Sequence, residues 1–261
     1  MSARVILHPT AQVDSSARLG DGTSVGAFSV IGADVTLGAG CEVGPHAVIE
    51  GPTVMGDRCK IFPFACIGMA PQDLKYRGER TTIEIGHDNV FREGVTVHRG
   101  TSGGGGVTRI GSSNLLMAQT HIAHDCQVGS QVIFANAATL AGHVVVEDHA
   151  TIGAFSGVHQ FCRVGEYAYI GGYSVITQDA LPFVLTVGNR AKSFGVNVVG
   201  LERKNFTQET IQALRQAYRI LFRSKLALDE ALDRLRNEFA GQNEVTRLAD
   251  FIRGSKRGVI R

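Results

Sequence analysis

An apolar residue recurs at every sixth position through most of the chain, and this period decides what the chain can fold into. The series runs Leu7, Val13, Leu19, Val25, Ile31, Leu37, Val43, Ile49, Met55, Ile61, Ile67. It returns as Ile85, Phe91, Val97, then resumes one residue out of phase from Ile110 to Ile176. All 26 positions on this grid are apolar, in a chain that is 44% hydrophobic overall, so chance does not account for them. A period of six matches neither an amphipathic helix nor a simple alternating strand. It fits a triangular solenoid, mainly β, in which each hexad is a short strand plus a turn and three hexads close one coil. Such coils stack about 4.8 Å apart. The apolar residue points inward. The next position is often glycine, and the position two before is small (Ala17, Thr23, Ser29, Cys41, Ala47), which suggests that the small residue lets the chain turn.

The 32 glycines with only 6 prolines fit a turn-rich repeat rather than collagen or a disordered linker. A net charge of +2 is too small to argue for nucleic acid. The first residues lack the apolar core of a signal peptide, and no run of 18 apolar residues exists to span a membrane. Five cysteines without a CxxC pair fit a reducing compartment, so the cytoplasm is expected. Cys41, Cys59, Cys126 and Cys162 occupy the small slot and Cys66 the next one, which makes them core filler, neither nucleophiles nor metal ligands.

Two interruptions break the grid. Residues 69–82 form a loop of about one coil's length that leaves the phase intact. Residues 98–109 contain four consecutive glycines, read as a mobile excursion without regular structure. Long loops on a regular solenoid usually carry function. The hexads stop near Leu181-Pro182, a connecting stretch follows to Phe206, and three helical patterns then appear. Thr207 is the expected N-cap of the first. The expected division is a β-helix over 1–190 and a helical domain over 191–261, the latter shielding the open end of the solenoid.

His121, His124, His143 and His159 fall within two coils, and Asp125 directly follows His124. A neutral imidazole accepts a hydroxyl proton, and a neighbouring carboxylate fixes its tautomer and stabilises the cation. Outward histidines also decorate solenoids without doing chemistry, and three that converge can hold zinc. The first loop supplies Gln72, Asp73 and Lys75. Arg203, Lys204 and the basic tail suit phosphates or an acidic partner protein, or simply keep a helical face soluble.

HIAHDC, LAGHVVVEDHA, GVHQFCRVG, PQDLKYRGE, GNRAKSFGVN and the terminal RGVIR together closely resemble the UDP-N-acetylglucosamine O-acyltransferases that open lipid A synthesis in Gram-negative bacteria. The resemblance spans essentially the whole chain. It implies a homotrimer of left-handed parallel β-helices with active sites between subunits, no cofactor and no metal. The donor would be a 3-hydroxyacyl thioester on acyl carrier protein, and the acceptor the glucosamine 3-hydroxyl of UDP-N-acetylglucosamine. By motif match His124 corresponds to the general base, Asp125 to its orienting group, and Gly142 to the residue whose backbone N–H stabilises the oxyanion. His121, His143, His159 and Gln160, with Gln72, Asp73 and Lys75, match sugar and diphosphate contacts. Asn197 and Arg203 match contacts on the nucleotide side.

Gly172 matches the family's hydrocarbon ruler. It stands 48 residues after His124, about 13 Å of axial rise, and a glycine there predicts a chain nearer fourteen carbons than ten. Arg190, Val199 and Lys204 depart from the histidine, glutamate and arginine of the best-known members, all on the nucleotide side. Three other readings are weighed. They are an N-acyltransferase acting on a 3-amino sugar, which carries a further N-terminal domain, a zinc hydratase of the same fold, and a purely structural solenoid.

Overall fold

The computed structural model describes residues 4–261 and shows the coil that the period of six requires. Three parallel sheets form the faces of a prism. Face A holds eleven strands, beginning at Ile6–Leu7. Face B holds nine, from Gln12–Val13 to Val175–Ile176, and face C eight, from Arg18–Leu19 to Arg163–Val164. The chain passes A to B to C, and each strand pairs in parallel with the strand one coil on, as in Ile6↔Ser24 and Thr139↔Gly157. The grid residues fill the interior as one continuous core, with Ile49, Ile67, Phe91, Ile122 and Phe134 fully buried.

The position that turns the chain differs from the expected one. Nineteen non-glycine residues have φ between 53° and 64°, and all but Phe183 and Asn205 stand three places after an inward apolar residue. This left-handed corner slot accepts Asp125, His143, Phe161 and Tyr173 alike, although such a φ costs a side-chain-bearing residue energy. The small slot instead points inward and ties down the next corner: Thr23 Oγ1 donates to Gly38 O at 2.8 Å, and Ser156 Oγ to Gly171 O at 2.8 Å. Cys41 and Cys126 donate to corner carbonyls in the same way, and burial pushes the Cys126 thiol up to about 12. The glycine slot answers to close packing between coils, since a Cβ on Gly20 would lie 2.5 Å from Ala39 N.

Both interruptions occur at the same edge, the B–C corner, in successive coils. The first loop is twelve residues, 70–81, between Cys66–Met69 and Thr82–Ile85, and so is shorter than a coil. The second, 99–106, is no free excursion. Its glycines include a 3-10 turn at Ser102–Gly104, and Thr101 is buried beneath it. The loops join where Ser102 Oγ donates to Glu79 Oε1 at 3.1 Å and Arg99 reaches the Tyr76 hydroxyl at 3.3 Å.

The stretch after Pro182 is more ordered than expected. Val184–Val187 joins face A in parallel, and Lys192–Val196 returns antiparallel beside it. Four helices follow rather than three: α1 (Val198–Arg203), α2 (Gln208–Arg223), α3 (Leu228–Glu238) and α4 (Asn243–Arg253). Thr207 caps α2, accepting the Thr210 N–H at 3.2 Å. The helices share a core with Leu181, Phe183 and Val184 at the end of the solenoid. The chain terminus then returns to the prism, where Ile260 joins the solenoid core and its N–H donates to Asp179 O at 2.9 Å.

Candidate active site

Because strands pair at a spacing of 18 residues here, the B–C corner stacks His124, Gly142 and Gln160 in one column and Asp125, His143 and Phe161 in the next. Repetition alone therefore assembles residues that are scattered in the chain. Asp125 Oδ2 accepts His124 Nδ1 at 2.8 Å. The carboxylate is fully buried, while the His124 side chain keeps 15% of its surface exposed. Three further bonds hold the aspartate. The Thr101 N–H donates to Oδ1 at 2.8 Å, the Thr101 hydroxyl donates to Oδ2 at 2.6 Å, and the Asp125 N–H donates to Thr108 Oγ1 at 2.8 Å.

On the far side of the ring, Nε2 lies beside Gly142, where an added Cβ would be 2.7 Å away. Among the described residues the Gly142 N–H meets no acceptor. His143 crosses His124 edge-on at 5.1 Å and stacks on Phe161 at 4.5 Å. Burial lowers the pKa of His143, with Asp125 opposing and His124 adding to the shift. His121 bonds Thr96 Oγ1 through Nδ1 at 2.7 Å, and burial lowers its pKa too.

Sequence reasoning singled out neither His98 nor Thr101, and took in Arg257 only as part of the basic tail. His98 is 5% exposed, packs edge-on against His121 at 4.8 Å, and is pushed down to about 4 by burial and then by its histidine neighbours. Thr101 lies in the glycine run, where nothing local marks it. Arg257 comes from the tail and approaches His159 Nδ1 at 3.5 Å. The signal for His98 is its place two residues beyond Thr96, the strand partner of His121; Arg257 has only the basic tail to mark it, and Thr101 has nothing short of the fold.

Asp73 lies close enough to His143 to raise its proton affinity, which brings the first loop to the same corner. Gln72 and Lys75 are exposed on that loop, and Leu74 between them is 95% exposed. Gly172, Asn197 and Arg203 are elsewhere. Gly172 belongs to the A–B corner, across face B from His124, so axial rise alone does not measure their separation. Asn197 caps α1 and bonds Tyr167 O, beside a hollow of about 430 Å³ lined by Tyr169, Val199 and Arg203.

His124, Asp125 and His143 offer ligand atoms within 4.8 Å of one another, the one such cluster among the described residues. The donor set argues against a metal there, because both Asp125 oxygens already accept N–H or O–H donors at 2.6–2.8 Å.

A hexapeptide-repeat prism with a carboxylate-bound imidazole in an open corner defines a transferase of the hexapeptide class. The model for bacterial transferase hexapeptides (six repeats) matches residues 16–51 and 143–178. A second, described as UDP N-acetylglucosamine O-acyltransferase, domain 2, matches 179–260. The acyl-(acyl-carrier-protein)–UDP-N-acetylglucosamine O-acyltransferase of Alkalilimnicola ehrlichii is 55% identical, over 98% of this chain and 99% of that one. The UDP-N-acetylglucosamine O-acyltransferase structure from Moraxella catarrhalis superposes with a TM-score of 0.95 at 45% identity, over 98% of this chain and 99% of its own. The Arabidopsis UDP-N-acetylglucosamine acyltransferase gives 0.87 at 36%, over 98% and 100%. The chain belongs to the UDP-N-acetylglucosamine O-acyltransferase family, and its solenoid is the left-handed parallel β-helix of that family.

Proposed function

We propose that this protein transfers a 3-hydroxyacyl group from the thioester of acyl carrier protein to the glucosamine 3-hydroxyl of UDP-N-acetylglucosamine, the first step of lipid A synthesis. The observation that carries the mechanism is the 2.8 Å bond from His124 Nδ1 to buried Asp125, which leaves Nε2 facing an open corner. Asp125 accepts the Nδ1 proton, so the Nε2 lone pair takes the 3-hydroxyl proton as the oxygen attacks the thioester carbon. The Gly142 N–H, without an acceptor among the described residues, meets the developing oxyanion. Collapse expels the carrier thiolate, to which His124 returns the proton. His121, His143, His159 and Gln160, with Gln72, Asp73 and Lys75, hold the sugar and diphosphate.

The candidate residues form two groups on different edges of one chain, which supports a homotrimer. In it, Asn197, Arg203 and the ruler Gly172 of one copy complete the site of the next, in the cytoplasm. The expected boundary at 190/191 cuts the hairpin on face A, so we take the solenoid to run through Lys192–Val196 and the helical unit to begin at Val198. Arg215, Arg219 and Arg223 line one face of α2 beside exposed Phe194, around a hollow of about 550 Å³, and none makes an ion pair among the described residues. That face suits an acidic carrier protein.

Incubation with UDP-N-acetylglucosamine and 3-hydroxyacyl carrier proteins tests the reading. The expected product is an ester, cleaved by mild alkali. His124→Ala should fall by more than about a hundredfold, and a loss of less than about tenfold removes the general-base role.

A further inference from the structure

The glycine-rich loop over residues 99–106 grips the catalytic carboxylate. Two of the four hydrogen-bonding groups around Asp125 come from one residue of this loop, the Thr101 N–H to Oδ1 and the Thr101 hydroxyl to Oδ2, the oxygen that also receives His124 Nδ1. Gly104 closes over the same carboxylate. An ideal Cβ there would lie 2.0 Å from Asp125 Cγ, so only the absence of a side chain lets the loop sit so close. Thr101 and Asp125 are both buried, which makes these bonds worth more than exposed ones and costly to leave half-made.

We propose that Thr101 is a positioning residue for the acyl transfer, setting the orientation and charge of Asp125 and, through it, the direction and basicity of His124. This rests on the general-base reading above. Asp125 occupies a left-handed corner (φ 60°) at the one edge of the prism that carries insertions, with no face-B strand bond of its own to orient its side chain. The Thr101 hydroxyl shares Oδ2 with the imidazole, so it draws negative charge away from the oxygen facing His124. Without it Oδ2 is more negative and less fixed, which favours the imidazolium. The other groups near His124 that respond to pH are His98, His121 and His143.

Thr101→Val keeps the backbone N–H and the side-chain shape, and removes only the hydroxyl. Its kcat should fall by about tenfold with the KM for UDP-N-acetylglucosamine within about twofold of wild type, and the acid limb of its pH–kcat/KM profile should move upward. Thr101→Ser should restore both. A kcat and acid limb unchanged from wild type in Thr101→Val, in a preparation where His124→Ala is inactive, overturns the proposal alone. An active His124→Ala overturns the general-base reading instead. If Thr101→Val does not fold, Gly104→Ala with a wild-type thermal midpoint serves. It should lose kcat without loss of sugar affinity, and unchanged kcat there also overturns the proposal.

Discussion

Replacing Gly142 by alanine places a methyl group against the His124 ring and changes little else. An ideal Cβ at this position lies 2.5 Å from His124 Cε1 and 2.7 Å from Nε2, whereas ordinary contact begins near 3.4 Å. The ring must therefore retreat by about 0.9 Å, either stretching the bond from Nδ1 to Asp125 or swinging Nε2 off its line to the sugar hydroxyl. A misplacement of about 1 Å at a reacting atom costs on the order of a hundredfold in rate, or about 2.7 kcal/mol. Alanine keeps the backbone N–H, so the proposed oxyanion donor survives and the loss reports on the proposed base. The assay is single-turnover acyl transfer at saturating UDP-N-acetylglucosamine, alongside the thermal midpoint to show the solenoid intact. A Gly142→Ala enzyme within about threefold of wild type refutes the argument that this contact sets the position of the imidazole.

Other outcomes follow from the same geometry. Phe134→Ala empties a fully buried site in the prism and should cost about 3–5 kcal/mol in denaturant unfolding. His98, held down to about 4 against an ordinary 6.5, stays neutral in the fold while the unfolded chain gains a proton below pH 6.5. Stability present above that pH is thus lost as pH falls toward 4, by about 2 kcal/mol at pH 5, and His98→Gln should flatten the decline measured by denaturant midpoints. A chelator should leave the transfer rate unchanged, because both Asp125 oxygens are already engaged by N–H or O–H donors; loss of rate restored by zinc contradicts this. Gly172→Met should shift the preferred donor to shorter chains, since an added Cβ there meets only Ala154 O at 3.3 Å and Ala154 N at 3.9 Å within 4 Å, which leaves room for a side chain to start; an unchanged chain-length profile sinks the ruler.

The prism was legible in the sequence because its interior accepts only apolar residues on a strict grid, so burial writes itself into the period. The corner slot was not, because a left-handed turn here is enforced by coils stacked above and below, and residues as unlike as Ala137, Arg58 and Tyr167 fill it. The His124–Asp125 pair was legible as adjacent letters. Thr101 stands 24 residues from Asp125 amid glycines that resemble free chain, and only the closure of a coil brings them together. The hairpin at Val184–Val187 and Lys192–Val196 lacks the hexad signature because it borrows the edge of face A in place of forming a coil. Helix α1 is six residues long, too short for a helical period to emerge.

The corner loops have a consequence for how such an enzyme can change. Lys60 pairs with Val90, and Val90 with Leu115, across 30 and 25 residues, yet the same strands meet in the same register as where the interval is 18. Extra chain is ejected sideways at the B–C edge and the core does not register it. For the register of the prism, loop length there costs little more than slow-growing closure entropy, although the second loop is itself held by Thr101 and Gly104 against Asp125. The first loop, 70–81, can therefore be lengthened, shortened or exchanged between relatives while the prism keeps its register, which makes it the natural place to graft a new acceptor specificity.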